Sequence, residues 1–199
     1  MGIERIYEKD IEWNYYLTLV EEVKVISNYI EFDKENYQTY SAELSKILMS
    51  ASSEVDVVMK QLCNHLRKNK KHRDIKDYRE TIMSLAPDLV TEEVHLPLHG
   101  LKLTPWVNWS GESNPDWWKA YNNVKHERNK YYAEATLKNT LNALAALYVC
   151  LFYLRALSKY RDAWNQQKDY ALSVALGGLI PRSSFFKSSH LPDPLFPVD

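Results

Sequence analysis

Thirteen consecutive residues hold most of the side chains that could do chemistry. The stretch Trp117-Trp118-Lys119-Ala120-Tyr121-Asn122-Asn123-Val124-Lys125-His126-Glu127-Arg128-Asn129 carries two tryptophans, a tyrosine, three asparagines and a Lys-His-x-Arg cluster. Such a set suits phosphodiester cleavage without a metal. An imidazole, whose ordinary pKa lies near neutral pH, can take the proton of an RNA 2′-hydroxyl. Lys125 and Arg128 supply positive charge for a developing phosphorane, and asparagine amides can position the backbone. Tyr131, Tyr132 or Trp118 offers an aromatic face to a base. No Gly-rich phosphate loop, Ser-His-Asp order or paired-carboxylate motif competes with this group.

Helical geometry divides the segment. On a continuous helix Asn122, His126 and Asn129 share a face, with Lys125 beside them. Trp117, Tyr121, Val124 and Arg128 fall on another stripe, which reads as core-facing. Residues two apart on an ideal helix point roughly 200° apart. His126 and Arg128 therefore serve one site only if the helix ends near Glu127 or if a symmetric dimer joins His126 of one chain to Arg128 of the other. The alternative is that His126 is a solvated or salt-bridged surface group and that the aromatic residues are core.

The surrounding chain predicts a helical bundle to hold this segment. Ile11, Tyr15, Leu19, Val23, Ile26 and Ile30 recur at helical spacing over about 10–30. Ser41 is a good N-cap for a helix to about Arg67, with Leu44, Leu48, Ala51, Val55, Val58, Leu62 and Leu66 in a stripe flanked by Glu54 and Asp56. Asp74 caps a shorter helix that Ala86-Pro87 ends. Asn114-Pro115-Asp116 launches the focal segment, with Asn114 as the capping side chain. The next helix, about 134–160, is apolar nearly all round and belongs at the centre, leaving Asn142 in need of a partner. A last helix is expected over about 161–176, closed by Gly177-Gly178.

Two stretches differ from this pattern. Residues 88–114 hold Pro97, Gly100, Pro105 and Gly111, and suggest a short hairpin around His99-Gly100 pinned to the bundle by Trp106 and Trp109. His95 and His99 have the i, i+4 spacing of a helical metal pair, but Pro97 lies between them, so no metal site is expected. Arg67-Lys68-Asn69-Lys70-Lys71-His72-Arg73 is the clearest charge run. It reads either as a phosphate-holding patch or as a solvated inter-helix loop. The expected organisation is one all-α, up-and-down helical-bundle domain over 1–180, a hairpin insertion at about 88–114, and a Pro-rich extended tail over 181–199 in which Phe185, Phe186 and Phe196 could dock.

Composition narrows the class. The chain has 199 residues, 45% hydrophobic and 26% charged, which is ordinary for a globular protein. A net charge of −1 gives no global basic field, so nucleic-acid binding would need a local patch. Cys63 and Cys150 sit in apolar helical patterns as buried free thiols and point to a reducing cytoplasm. The longest unbroken apolar run, Ala143 to Leu154, is shorter than the roughly 20 residues a span needs, and no membrane association is expected.

Tyr121-Asn122-Asn123-Val124-Lys125-His126-Glu127-Arg128-Asn129, followed by an Ala/Leu-rich helix, resembles the HEPN superfamily of small helical bundles. The chain is also similar to a group of bacterial proteins with this Trp-Trp and Lys-His-x-Arg pattern. The resemblance covers about residues 10–160. It implies a metal-independent endoribonuclease of a bacterial toxin or phage-defence system, with no cofactor, acting on RNA. It also implies a homodimer and a protein partner from a defence or toxin–antitoxin operon. Residue by residue, His126 and Arg128 become catalytic, and Asn122, Lys125, Asn129 and Tyr131 substrate-binding. The family places a histidine four to six residues after the arginine, where this chain has Ala133, Glu134 and Ala135 beyond Arg128-Asn129. The site is then either permuted, using His126, or lost. A lost site would leave an inactive HEPN-like module that binds RNA, a nucleotide or a partner protein.

Overall fold

In the computed structural model, residues 10–111, 113–159, 165 and 187–188 are described. Six helices follow in order: α1 (Ile11–Ile26), α2 (Ala42–Leu66), α3 (Ile75–Leu85), α4 (Asp88–Thr91), α5 (Asp116–Tyr131) and α6 (Leu137–Lys159). Between α4 and α5 lie β1 (Val94–Leu96) and β2 (Leu101–Leu103), and β3 (Lys187–Ser188) comes after α6. The architecture is the all-α bundle with a hairpin insertion that the sequence predicts. The expected helix over 161–176 and most of the tail fall outside the described residues.

α6 is the central element. Leu137, Leu141, Leu144, Leu147 and Cys150 on one side, and Ala143, Ala145, Ala146 and Phe152 on others, are all buried. The most extensive packing is between α6 and α2, while α1 and α5 also lean on both. Thr140 ties the long pair together: its buried hydroxyl donates to the Leu44 carbonyl at 3.1 Å. Asn142 satisfies itself within the helix by donating to the Lys138 carbonyl at 2.9 Å. By length and composition Leu137–Ser158 would pass as a membrane span, even though polar residues interrupt its apolar runs, but 83% of its apolar window is buried in the bundle. Enclosure on all sides gives the same composition as a lipid environment.

Caps follow the sequence closely. Asp10 accepts from the Trp13 amide, Ser41 from the Leu44 amide, and Asp74 from the Lys76 and Asp77 amides. α5 differs. Its cap position is Pro115 rather than Asn114, and no side chain bonds the first turn. The Pro115 carbonyl accepts from the Trp118 and Lys119 amides, each at 3.1 Å.

The phase of α1 also differs from expectation at its start. Ile11 and Tyr15 are 61% and 41% exposed, whereas Trp13 and Tyr16 are buried. The larger aromatic faces took the core side, and Trp13, Tyr16 and Tyr148 form one ring cluster with centroids 4.9–6.3 Å apart. The outward stripe of α1 consequently carries Ile11, Tyr15 and Val25, and Tyr29 is exposed in the turn beyond it.

The hairpin pairs Val94 with Leu103 and Leu96 with Leu101, burying those four side chains on one face. Gly100, at φ 62°, closes the turn in the left-handed region that favours glycine. β3 adds to the free edge of β1, making a three-stranded sheet in the order β2-β1-β3. His95 bonds Glu93 at 2.5 Å, and His99 rests against Phe32 with its Nδ1 3.9 Å from Glu31, so the two imidazoles face separate partners.

Two cations of the basic run, Arg67 and Lys70, pair with carboxylates of α3. Lys70 pairs with Glu80 at 2.7 Å and Asp77 at 3.8 Å, and Arg67 reaches Glu80 at 3.6 Å. The run lies in the connection between α2 and α3, where Lys68, Lys71 and Arg73 are exposed. Its histidine is structural: His72 is buried between the Asn64 amide oxygen and the Thr81 hydroxyl, each 2.9 Å away. Asp56 and Glu54, the flanking carboxylates of α2, are half-buried. Asp56 accepts from the Tyr78 hydroxyl at 3.0 Å, and burial, aided by nearby Glu12, pushes the Glu54 carboxyl upward.

Burial, reinforced by the charge of Lys70, holds the His72 imidazole below its ordinary 6.5. The folded state thus binds fewer protons at this site than the unfolded chain. Its contribution to stability is present above about pH 6.5 and is lost as the pH falls through the lowered folded pKa. Urea denaturation of the wild type between pH 7.5 and 5 should show a stability loss that His72→Asn flattens, and parallel profiles for the two proteins would refute this assignment.

Candidate functional site

The focal segment begins on an aromatic floor. Trp106 and Trp109 lie 4.4 Å apart by ring centroid, Trp117 meets Trp106 edge-on at 5.2 Å, and Trp118 and Tyr121 continue the series at 5.6 and 5.5 Å. The Trp117 indole N–H donates to the Pro105 carbonyl at 2.8 Å. Arg79 of α3 closes the other end by donating to the carbonyls of Trp109 and Gly111. The irregular excursion and the first turns of α5 are thereby one packed unit. Trp118 is buried in it and has no face for a base, which corrects its reading as a stacking residue.

α5 does not run straight through the cluster. Glu127 has φ −137° and ψ 56°, outside the helical region, so the helix breaks there. Val124 and Tyr121 are buried as expected, but Arg128, placed by helical phase on the same core-facing stripe, is exposed. The break explains the difference, because residues after Glu127 no longer follow the phase of those before it. Asn129 likewise leaves the face of Asn122 and His126.

Polar contacts hold the chain beyond the break. Asn123 of α5 donates to the Glu134 carboxylate at 2.9 Å, and Asn139 of α6 donates to the Glu134 carbonyl at 2.9 Å. The segment 37–40 closes the side: the Leu137 amide donates to the Thr39 carbonyl at 2.8 Å, the Lys138 amide to the Tyr37 carbonyl at 3.2 Å, and Tyr40 bridges to Thr136. Glu134 is thus a structural acceptor through both its carboxylate and its carbonyl.

Around the break the candidates separate. His126, Arg128 and Asn129 are exposed and have no side-chain partner among the described residues. Glu127 is engaged by Lys130 at 3.6 Å, not by His126 or Arg128. Lys125 reaches back to the Tyr121 hydroxyl at 3.3 Å with its ammonium over that ring. Asn122, half-buried, donates to the Trp118 carbonyl at 2.8 Å, so its amide nitrogen serves the helix. Tyr131 has Lys130 4.7 Å above its ring, which occupies one aromatic face. Sequence reasoning missed Tyr40, which is 50% exposed and meets Tyr132 edge-on at 5.9 Å. It lies far from the motif in sequence, and no periodic signal links it to residue 132.

If the Asn123–Glu134 contact fastens the turn, Asn123→Ala should loosen it selectively. One neutral-to-charged hydrogen bond is worth about 1.5–3 kcal/mol, so amide exchange over residues 128–134 should accelerate by roughly 10-fold or more while α2 keeps its protection. Uniform acceleration across the bundle would count against a local fastening.

Compared with known proteins, the chain matches no family model, no curated protein and no solved structure, and the HEPN resemblance rests on the motif residues themselves.

Proposed function

We propose that this chain is a HEPN-like RNA-binding bundle that cleaves RNA without a metal at the turn around Glu127. The observation that carries the reading is the break of α5 at Glu127, which leaves His126 and Arg128 both exposed and both unpaired among the described residues. A continuous helix would have turned Arg128 toward the core. In this reading His126 takes the 2′-hydroxyl proton, and the 2′-oxygen attacks phosphorus. The 5′-oxygen leaves and regains a proton, giving a 2′,3′-cyclic phosphate and a 5′-hydroxyl. Arg128 neutralises the phosphorane, and Lys125 adds charge from the preceding turn. The activity would belong to a toxin or phage-defence system, with a homodimer and an operon-encoded protein as partners. Because α6 is enclosed, a second copy would have to meet surfaces other than α6.

A second reading keeps the binding and drops the cleavage. It is favoured by the same exposure: a proton-transfer group open to water lacks the excluded, preorganised surroundings that strengthen catalysis. The replacement of the family histidine by Ala133, Glu134 and Ala135 points the same way.

His126→Ala separates the two. Purified wild type, with chelator present, should cleave single-stranded RNA to cyclic-phosphate ends. The variant should lose at least about 100-fold in rate, while its helical circular dichroism and RNA affinity stay unchanged. Cleavage that survives the substitution would remove His126 from the mechanism. Binding without cleavage by the wild type would establish the second reading. Light scattering should give the mass of a dimer at micromolar concentration, and a monomer mass would remove the homodimer from the proposal.

A further inference from the structure

The ring of Tyr40 has no structural task equal to its exposure. Its backbone is fixed on both sides, by the bridge to Thr136 and by Ser41, which caps α2. Its side chain contributes nothing to the buried core and stands half in solvent. What it touches is Tyr132, edge-to-face at 5.9 Å and 86°. A perpendicular partner steadies a ring and covers at most one of its two faces.

Tyr132 connects that ring to the cationic turn. Arg128 and Tyr132 are four residues apart, and helical structure resumes after Glu127 and passes into the turn Tyr132–Glu134. Tyr131, at φ −112° and ψ 16°, departs from α geometry between them, so Arg128 and Tyr132 flank one short turn. A guanidinium is thus followed, within that turn, by an aromatic pair. Nucleotides repeat the same order of chemistry, with a phosphate and a base one sugar apart. Duplexes hide their base faces, whereas single strands offer them, so the pairing of cation and exposed ring selects unpaired nucleic acid.

We infer that Tyr40, braced by Tyr132, is a base-stacking platform for single-stranded nucleic acid whose adjacent phosphate is held by Arg128. This rests on the RNA-binding reading above and adds to it a subsite from a different part of the chain. Tyr131 is the less suitable platform, because Lys130 already covers one of its faces.

Fluorescence anisotropy with labelled 12-nucleotide oligouridylate, the matching oligodeoxyuridylate and a blunt RNA duplex tests the inference. Tyr40→Ala should weaken single-strand binding about 5- to 150-fold, the range expected for one stacked base. Tyr40→Phe, which keeps the ring, should bind within about 2-fold of wild type and guards against a folding defect in the alanine variant. The salt dependence should be unchanged in Tyr40→Ala and shallower in Arg128→Ala, since only the second removes a phosphate contact. Equal single-strand affinity for wild type and Tyr40→Ala overturns the platform while leaving RNA binding intact. Loss in Tyr40→Phe as large as in Tyr40→Ala, or preference for the duplex, overturns it too. If the wild type binds none of the three oligonucleotides, the RNA-binding reading fails and the platform with it, and the exposed rings would instead be tested as a protein contact.

Discussion

Enclosing α6 is the constraint on which the other elements depend. A helix with buried side chains on almost every face must be covered on all of them, and burying each large aliphatic side chain is worth about 1.5–3 kcal/mol. α2 covers the longest strip and is anchored to it by the Thr140 hydroxyl. α1 and α5 fill the remaining sides, and the hairpin touches it through β2. At the far end, Arg155 of α6 meets Asp10 at 2.5 Å, so the last turns of the core helix are fastened to the N-cap residue of α1. α5 must therefore present Trp117, Tyr121 and Val124 inward, and it can release its chain to solvent only after Val124. The exposed cluster begins at that limit.

The connection from α5 to α6 has to reverse direction within a few residues. The break at Glu127 begins the reversal, and the short turn Tyr132–Glu134 completes it. Carbonyls and amides freed by such a turn need partners. Asn139 and the 37–40 segment supply several of them, and Asn123 holds the Glu134 carboxylate. The residues left over are the ones without a structural role: His126, Arg128 and Asn129. Their freedom follows from the break at Glu127 and from how the polar groups around it are satisfied, with no positive φ at any of them.

Much of this was legible in the sequence because it rests on local rules. Ser41 and Asp74 signal helix starts through short-range hydrogen bonds, Ala86-Pro87 signals a stop, and the Leu-rich period of α6 signals a central helix. The phase of α1 was not legible, since the choice between Ile11/Tyr15 and Trp13/Tyr16 as the inward pair depends on Tyr148, more than a hundred residues away. His72 reads as one more member of a basic run, and only the approach of Thr81 from α3 makes it a buried, neutral-favouring group. The candidate site shows the same division. The residue types in 117–129 are visible at once, and the condition that His126 and Arg128 need a helix end near Glu127 is a geometric deduction. Where the chain bends, and that Tyr40 borders the bend, depend on pairing between 37–40 and 136–138 that no single stretch encodes.

The arrangement also limits what the two central residues can do alone. A guanidinium at the surface holds a phosphate in high-dielectric surroundings, where one contact is weak and easily screened by salt. Rate enhancement asks for more: the ribose must be held so that the 2′-oxygen stands in line with the leaving 5′-oxygen. Aromatic stacking can supply part of that restraint, because a base fixed on Tyr40 would shorten the range of positions open to its phosphate. In the proposed reading, cleavage at this turn would depend on how the RNA is gripped on either side of the scissile bond, and the His126–Arg128 pair would act as a catalyst only to the extent that neighbouring rings, or a second protein surface, keep the strand in place and water out.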